Sequence, residues 1–118
     1  MGSDFPDQAQ IVIIGGGVVG CSVAYHLAEL GVSDVVLLER KSLTSGTTWH
    51  AAGLVGQLRA TQNLTRLAQY TTNLYADLEK LTGQATGFRQ NGSLSLATDE
   101  ERFEELKRSA SMAKVFGL

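Results

Sequence analysis

The chain has 118 residues, 43% hydrophobic and 19% charged, with a formal net charge of −2. This is the composition of a folded globular domain, and it gives no electrostatic reason to expect nucleic acid or an acidic membrane surface as partner. The single cysteine, Cys21, excludes an internal disulfide and a cysteine-cluster metal site, and no apolar run approaches the roughly 20 residues that span a bilayer.

Met1-Gly2-Ser3 reads as an expression remnant. The short apolar stretch Ile11–Ile14, preceded by Asp4 and Asp7, does not make a signal peptide. Gln10–Ile14 predicts a buried parallel strand that runs into Gly15-Gly16-Gly17. From Val18 to Leu30, Cys21, Ala24, Leu27 and Ala28 recur at helical spacing, and Gly31 supplies a stop. Cys21 is expected to pack on the sheet, and His26 reads as an ordinary helix residue. Asp34–Glu39 predicts a second buried strand with Val35, Val36, Leu37 and Leu38 at its centre. Strand, helix and strand form a βαβ unit with a right-handed crossover.

Lys41–Arg59 has no clean period. It carries the hydroxyl residues Ser42, Thr44, Ser45, Thr47 and Thr48, then Trp49-His50-Ala51-Ala52-Gly53. Long irregular segments in compact domains are usually functional. An amphipathic helix follows, with Asn63 as N-cap and Gly83 as stop. Leu64, Leu67, Ala68, Thr71, Leu74, Tyr75, Leu78 and Leu81 line one face. Tyr70 and Tyr75 belong to this helix and read as packing residues. Asn91-Gly92, between Phe88–Gln90 and Ser93–Leu96, predicts a hairpin with one buried face. Thr98 and Glu101 fit a capping box for a last helix bearing Phe103, Leu106, Ala110 and Ala113. The acidic run Asp99-Glu100-Glu101 suits the positive end of that helix.

The fold class is therefore α/β: an N-terminal Rossmann-like βαβ dinucleotide-binding unit, followed by helices and a β-hairpin of an incomplete second domain. Residues 1–60 hold the βαβ unit and the loop after it. Residues 61–118 hold helix, hairpin and helix, the start of a substrate-domain region. The length is short for a complete dinucleotide enzyme, so an N-terminal piece of a longer protein is expected.

Gly15-x-Gly17-x-x-Gly20, followed by Ala24, carries the first chemistry. Gly15 permits a tight turn, Gly17 lets backbone approach a pyrophosphate, and Gly20 lets the helix pack closely. Amides at the helix start, aided by the dipole, hold phosphates. Glu39 ends the second strand, 24 residues after Gly15. Its carboxylate suits an adenosine ribose and repels a 2′-phosphate, which disfavours NADP. The motif leaves FAD and NAD open.

A lone histidine is by default a surface or core residue, but the neighbours of His50 are unusual. Ala51, Ala52 and Gly53 permit close backbone approach to a planar ligand, and Thr47 and Thr48 offer hydroxyls and amides. Imidazole is also a competent nucleophile. The run Leu43-Thr44-Ser45-Gly46-Thr47-Thr48-Trp49-His50-Ala51-Ala52-Gly53-Leu54 resembles the flavin loop of the sarcosine and dimethylglycine dehydrogenases, FAD-dependent oxidoreductases related to D-amino-acid oxidase. Gln57-Leu58-Arg59, Leu81-Thr82-Gly83, Thr86-Gly87-Phe88, Gln90–Leu94, Ala97, Arg102, Leu106 and Lys107 extend the resemblance over nearly all of the chain from Ile11.

That resemblance implies FAD bonded to His50 through the 8α-methyl carbon. It places the Val18 and Val19 amides near the pyrophosphate and Glu39 and Arg40 at the adenosine end. Thr47, Thr48 and Leu54 line the path to the flavin, and Trp49 either stacks near it or simply packs. The implied reaction is oxidation of an N-methyl amine, with hydride passing to flavin N5. The resulting iminium releases formaldehyde or gives its one-carbon unit to tetrahydrofolate. Substrate- and folate-binding groups lie beyond Leu118 in the family, so catalytic acids and bases, the electron acceptor and the choice of amine stay unassigned, and no metal is implied. Two other readings stand beside this one. One is a non-catalytic relative such as the regulatory subunit of pyruvate dehydrogenase phosphatase, which resembles these enzymes but lacks the loop histidine. The other is an NAD-dependent dehydrogenase. A bacterial cytoplasm or a mitochondrial matrix suits the chain.

Overall fold

A computed structural model describes residues 5–118, and the reading of Met1-Gly2-Ser3 as an expression remnant lies outside the described residues. The chain divides into two compact units, the first ending at Gly53 and the second running Leu54–Leu118.

The first unit contains β1 (Ile11–Ile14), α1 (Val18–Glu29) and β2 (Val35–Leu38). β1 and β2 pair in parallel, with Ile11 opposite Val35 and Ile14 opposite Leu38. The entry to the pair is fixed twice. The Ile11 amide donates to the Asp34 carbonyl, and the Gln10 amide donates to the Asp34 carboxylate at 2.8 Å. α1 stops as the sequence predicts. Gly31 adopts φ 81° and its amide donates to the Ala28 carbonyl, while the Val32 amide reaches the Leu27 carbonyl. These two bonds satisfy carbonyls that a helix end would leave bare.

The strands are not buried on both faces as their apolar run predicts. Ile11 and Ile13 are half-buried, while Val12 is half-exposed and Ile14 is 88% exposed. The pleat explains the alternation: one helix covers one face of the pair, and alternate side chains point to the other. Cys21 packs at the glycine turn, its thiol 3.5 Å from the Gly16 carbonyl oxygen. His26 stays within its own helix, with Nδ1 2.6 Å from the Ser22 carbonyl oxygen.

The second unit contains α2 (Gln62–Thr82) and α3 (Glu100–Val115). Both N-caps differ from the predicted residues. Thr61, not Asn63, caps α2, its hydroxyl accepting from the Leu64 amide at 3.3 Å. Asp99, not Thr98, caps α3, its carboxylate accepting from the Arg102 amide at 2.7 Å. Thr61 and Asp99 hold the extended backbone that lets a side-chain oxygen reach an amide three residues on. Glu100 and Glu101 occupy the first turn of α3, where the dipole favours them. Gly83 closes α2 in the left-handed region, φ 71°.

The buried row of α2 is Thr65, Ala68 and Thr72, whereas Leu64, Leu67 and Leu81 are exposed. The segment before the helix decides this. Thr65 Oγ1 accepts from the Arg59 amide at 3.1 Å and donates to the Arg59 carbonyl at 3.3 Å, so this hydroxyl is buried and satisfied. Thr72 returns its hydroxyl proton to the Ala68 carbonyl. Of the predicted α3 row, Leu106 and Ala113 are half-buried, whereas Phe103 and Ala110 are exposed. Tyr75 packs on Phe88, ring centroids 5.7 Å apart, and Tyr70 is half-exposed.

The predicted hairpin does not form. Residues 84–97 hold no strand, and Leu94 is 87% exposed. Gly92 does take a positive φ of 79°, so the turn signal is read locally. A two-stranded hairpin is marginal without a packed face, and Leu94 and Leu96 find none within this unit.

Candidate nucleotide-binding turn

The site begins where β1 ends. Gly15 takes φ 106°, and its amide donates to the Leu38 carbonyl at 2.8 Å, so the chain turns sharply off the sheet edge. Gly20 sits against that turn: a Cβ there would lie 1.9 Å from the Gly15 carbonyl oxygen. α1 can start this close to the turn because residue 20 has no side chain. Gly17 is the N-cap of α1 and provides no side-chain cap, and the first turn holds no acidic residue. No carboxylate of the helix itself meets its positive end, so the amides beyond Val18 suit an external anion such as a pyrophosphate.

Glu39 closes the turn from the second strand. Its carboxylate accepts from the buried Gly16 amide at 2.8 Å and from the Lys41 amide at 3.0 Å. These bonds, the Gly16 one foremost, hold its pKa below the ordinary 4.5. An ionised carboxylate has acceptor positions left for ribose hydroxyls. Gly16 is a residue that the spacing argument passes over. A Cβ there would meet Leu43 Cδ2 at 2.6 Å and Glu39 Cβ at 3.0 Å. The only signal for it is the third glycine inside the motif.

The loop after Glu39 returns to the same turn. The Thr44 amide donates to the Gly16 carbonyl at 2.8 Å, and Thr44 holds φ 61°, which is uncommon for a residue with a side chain. A 3₁₀ turn, Thr47–His50, then places the Thr48 hydroxyl 2.9 Å from the Val18 amide, which donates to it. A Cβ on Gly17 would stand 3.2 Å from that hydroxyl. Gly15, Gly16, Gly17, Val18, Gly20, Glu39, Thr44 and Thr48 thus meet in one place. Val19 is exposed on the first turn of α1, and Arg40 is exposed after β2. Thr47, Trp49 and His50 are exposed on the 3₁₀ turn. Gly53, φ 75°, ends the first unit. Leu54 belongs to the second unit, where it lines an apolar hollow of about 380 Å³ with Val55, Arg59, Leu64, Leu67 and Ala68.

This turn fits the ADP end of a dinucleotide: a helix start with no cap from its own N-cap residue and no acidic side chain in its first turn, backbone brought close by glycine, and an ionised carboxylate at the second strand end. Residues 10–118 match the family model described as FAD dependent oxidoreductase. The chain is 49% identical to mouse mitochondrial sarcosine dehydrogenase over 96% of its own length and 12% of the relative's. It is 52% identical to rat mitochondrial dimethylglycine dehydrogenase over 88% of the chain and 12% of that protein. The mouse mitochondrial pyruvate dehydrogenase phosphatase regulatory subunit is 44% identical over 96% of the chain and 14% of that protein. Among solved structures, L-proline dehydrogenase from P. horikoshii superposes with a TM-score of 0.86 at 29% identity, covering 96% of this chain and 29% of that one. The chain thus spans about an eighth of the curated relatives named first. Among the described residues, no helix is long and apolar enough to cross a membrane.

Proposed function

The chain belongs to the FAD dependent oxidoreductase family, and on that premise we propose that it holds FAD for the oxidation of an N-methyl amine of the sarcosine or dimethylglycine kind. The observation that carries this reading is the bond between the Val18 amide and the Thr48 hydroxyl. It fastens the loop that bears His50 to the helix start that suits a pyrophosphate.

The division of labour follows from the residues. Glu39 accepts from the ribose hydroxyls while its other contacts keep the glycine turn in shape. The Val19 amide faces the pyrophosphate oxygens, the Val18 amide, already given to Thr48, holds the loop instead, and Arg40 stands at the adenosine end. Thr48 accepts from Val18 and keeps its own hydroxyl proton to donate to a phosphate or ribityl oxygen. Thr47, Gly53 and Leu54 line the way to the flavin, and the imidazole of His50 tethers it. Bound FAD supplies the two-electron acceptor for a hydride from the N-methyl carbon.

A second reading, a non-catalytic regulatory protein, rests on the 44% identity to the phosphatase regulatory subunit. Retention of His50 favours the enzyme. Anaerobic titration of the full-length protein with sarcosine and with dimethylglycine tests the choice. Loss of the oxidised-flavin absorbance with either amine supports the enzyme. A spectrum unchanged by both supports the regulatory reading.

A further inference from the structure

Thr48 is bonded on two sides. Its hydroxyl accepts from Val18, and its carbonyl accepts from the Ala51 amide at 3.2 Å, so it brackets His50. The Trp49 amide donates to the Gly46 carbonyl at 3.2 Å, completing the short turn. A four-residue 3₁₀ turn has poor hydrogen-bond geometry and does not hold itself. The half-buried Thr48 ties this one, across 30 residues of sequence, to the first amide of α1. Thr44 makes a parallel tie to Gly16 from a left-handed conformation. Gly17 leaves room for the hydroxyl.

We infer that the Thr48 hydroxyl is a latch: it holds the His50 turn against the start of α1 before the cofactor arrives, and so makes Thr48 a positioning residue for FAD retention. The latch takes an orphan amide that every helix start leaves open. It thereby orders the loop in advance, and ordering done in advance is not charged against cofactor binding. The inference rests on the FAD reading for its second half only.

The test uses the full-length protein carrying His50→Ala, so that FAD is free to leave, and compares Thr48→Val and Thr48→Ser on that background. Hydrogen exchange of the FAD-free protein reads the latch without any cofactor. Thr48→Val, which keeps the branched shape and removes the acceptor, is expected to speed exchange at Trp49 and Ala51 about fivefold, the scale of one lost hydrogen bond. FAD release should quicken by a similar factor, and Thr48→Ser should restore both. Gly17→Ala gives an independent arm, since its methyl crowds the hydroxyl; its effect on exchange should vanish on a Thr48→Ala background, which removes the hydroxyl and the branch it would crowd. Unchanged exchange in Thr48→Val, or fully additive effects of Gly17→Ala and Thr48→Ala, overturns the latch. Faster exchange with unchanged FAD release overturns its role for the cofactor. Absence of FAD from the parent protein with His50 intact would instead contradict the FAD reading, and the exchange result would still judge the latch.

Discussion

Replacing Gly20 by alanine would put a methyl carbon 1.9 Å from the Gly15 carbonyl oxygen. Carbon and carbonyl oxygen sit comfortably at roughly 3.3 Å, so the overlap is about 1.4 Å. The obstacle is backbone, so no side-chain rotation relieves it, and either α1 or the Gly15 turn must move. Alanine would favour a helix interior by about 1 kcal/mol over glycine. Overpacking costs about 1–3 kcal/mol, and a backbone clash belongs at the upper end. The clash therefore wins, with a net loss of about 1–2 kcal/mol. Because the displaced turn is the one proposed to meet the pyrophosphate, FAD content should fall as well. Ser22→Ala, on the exposed side of the same helix, is the control and should stay within about 0.5 kcal/mol of the parent. Urea unfolding followed by circular dichroism, with flavin content measured on the same samples, reads both effects. A Gly20→Ala protein as stable and as yellow as the parent would refute the close-approach argument.

Three further outcomes follow from named contacts. Glu39 has a depressed pKa in the folded chain, so its contribution to stability is complete above pH 4.5 and drains away as pH falls below that value. The stability difference between parent and Glu39→Gln, followed from pH 7 to pH 3, should shrink only in that acid window. Thr65→Val strips both bonds from the Arg59 backbone at a position with 0% exposure, and should cost about 1–3 kcal/mol in urea unfolding, with Thr65→Ser close to the parent. The cap of α2 is decided by comparing Thr61→Ala, expected to lose about 1 kcal/mol, with Asn63→Ala, expected to lose almost nothing; the reverse order would put the cap back on Asn63.

The βαβ unit was legible because its signals are local and dense. A β-branched run, three glycines, helical spacing and Gly31 follow one another without a gap. Element ends were less legible. Thr61 and Asn63 are both good capping residues, and only the backbone conformation at Thr61 selects between them. The buried row of α2 could not be read from apolar spacing. The segment carrying Arg59 lies over Thr65 and satisfies its hydroxyl, so a polar residue takes a core position. Asn91-Gly92 gave a true turn but no hairpin, since the pairing needs a face to pack on. At the site, the glycine spacing and Glu39 were readable. The meeting of Thr48 with Val18 was not, because a hydroxyl and an amide 30 residues apart carry no shared period. Gly16 and Thr44 were missed for the same reason: their partners are set by the fold.

The tether proposed for this loop is a covalent bond between His50 and the flavin. Trypsin cuts after Lys41 and Arg59 and nowhere between, so one peptide, Ser42–Arg59, carries His50. Mass spectrometry of that peptide from acid-precipitated full-length protein is the direct measurement. The expected product is a peptide heavier by one flavin adduct, with fragment ions assigning the adduct to His50. An unmodified peptide, with all flavin left in the acid supernatant, would contradict it.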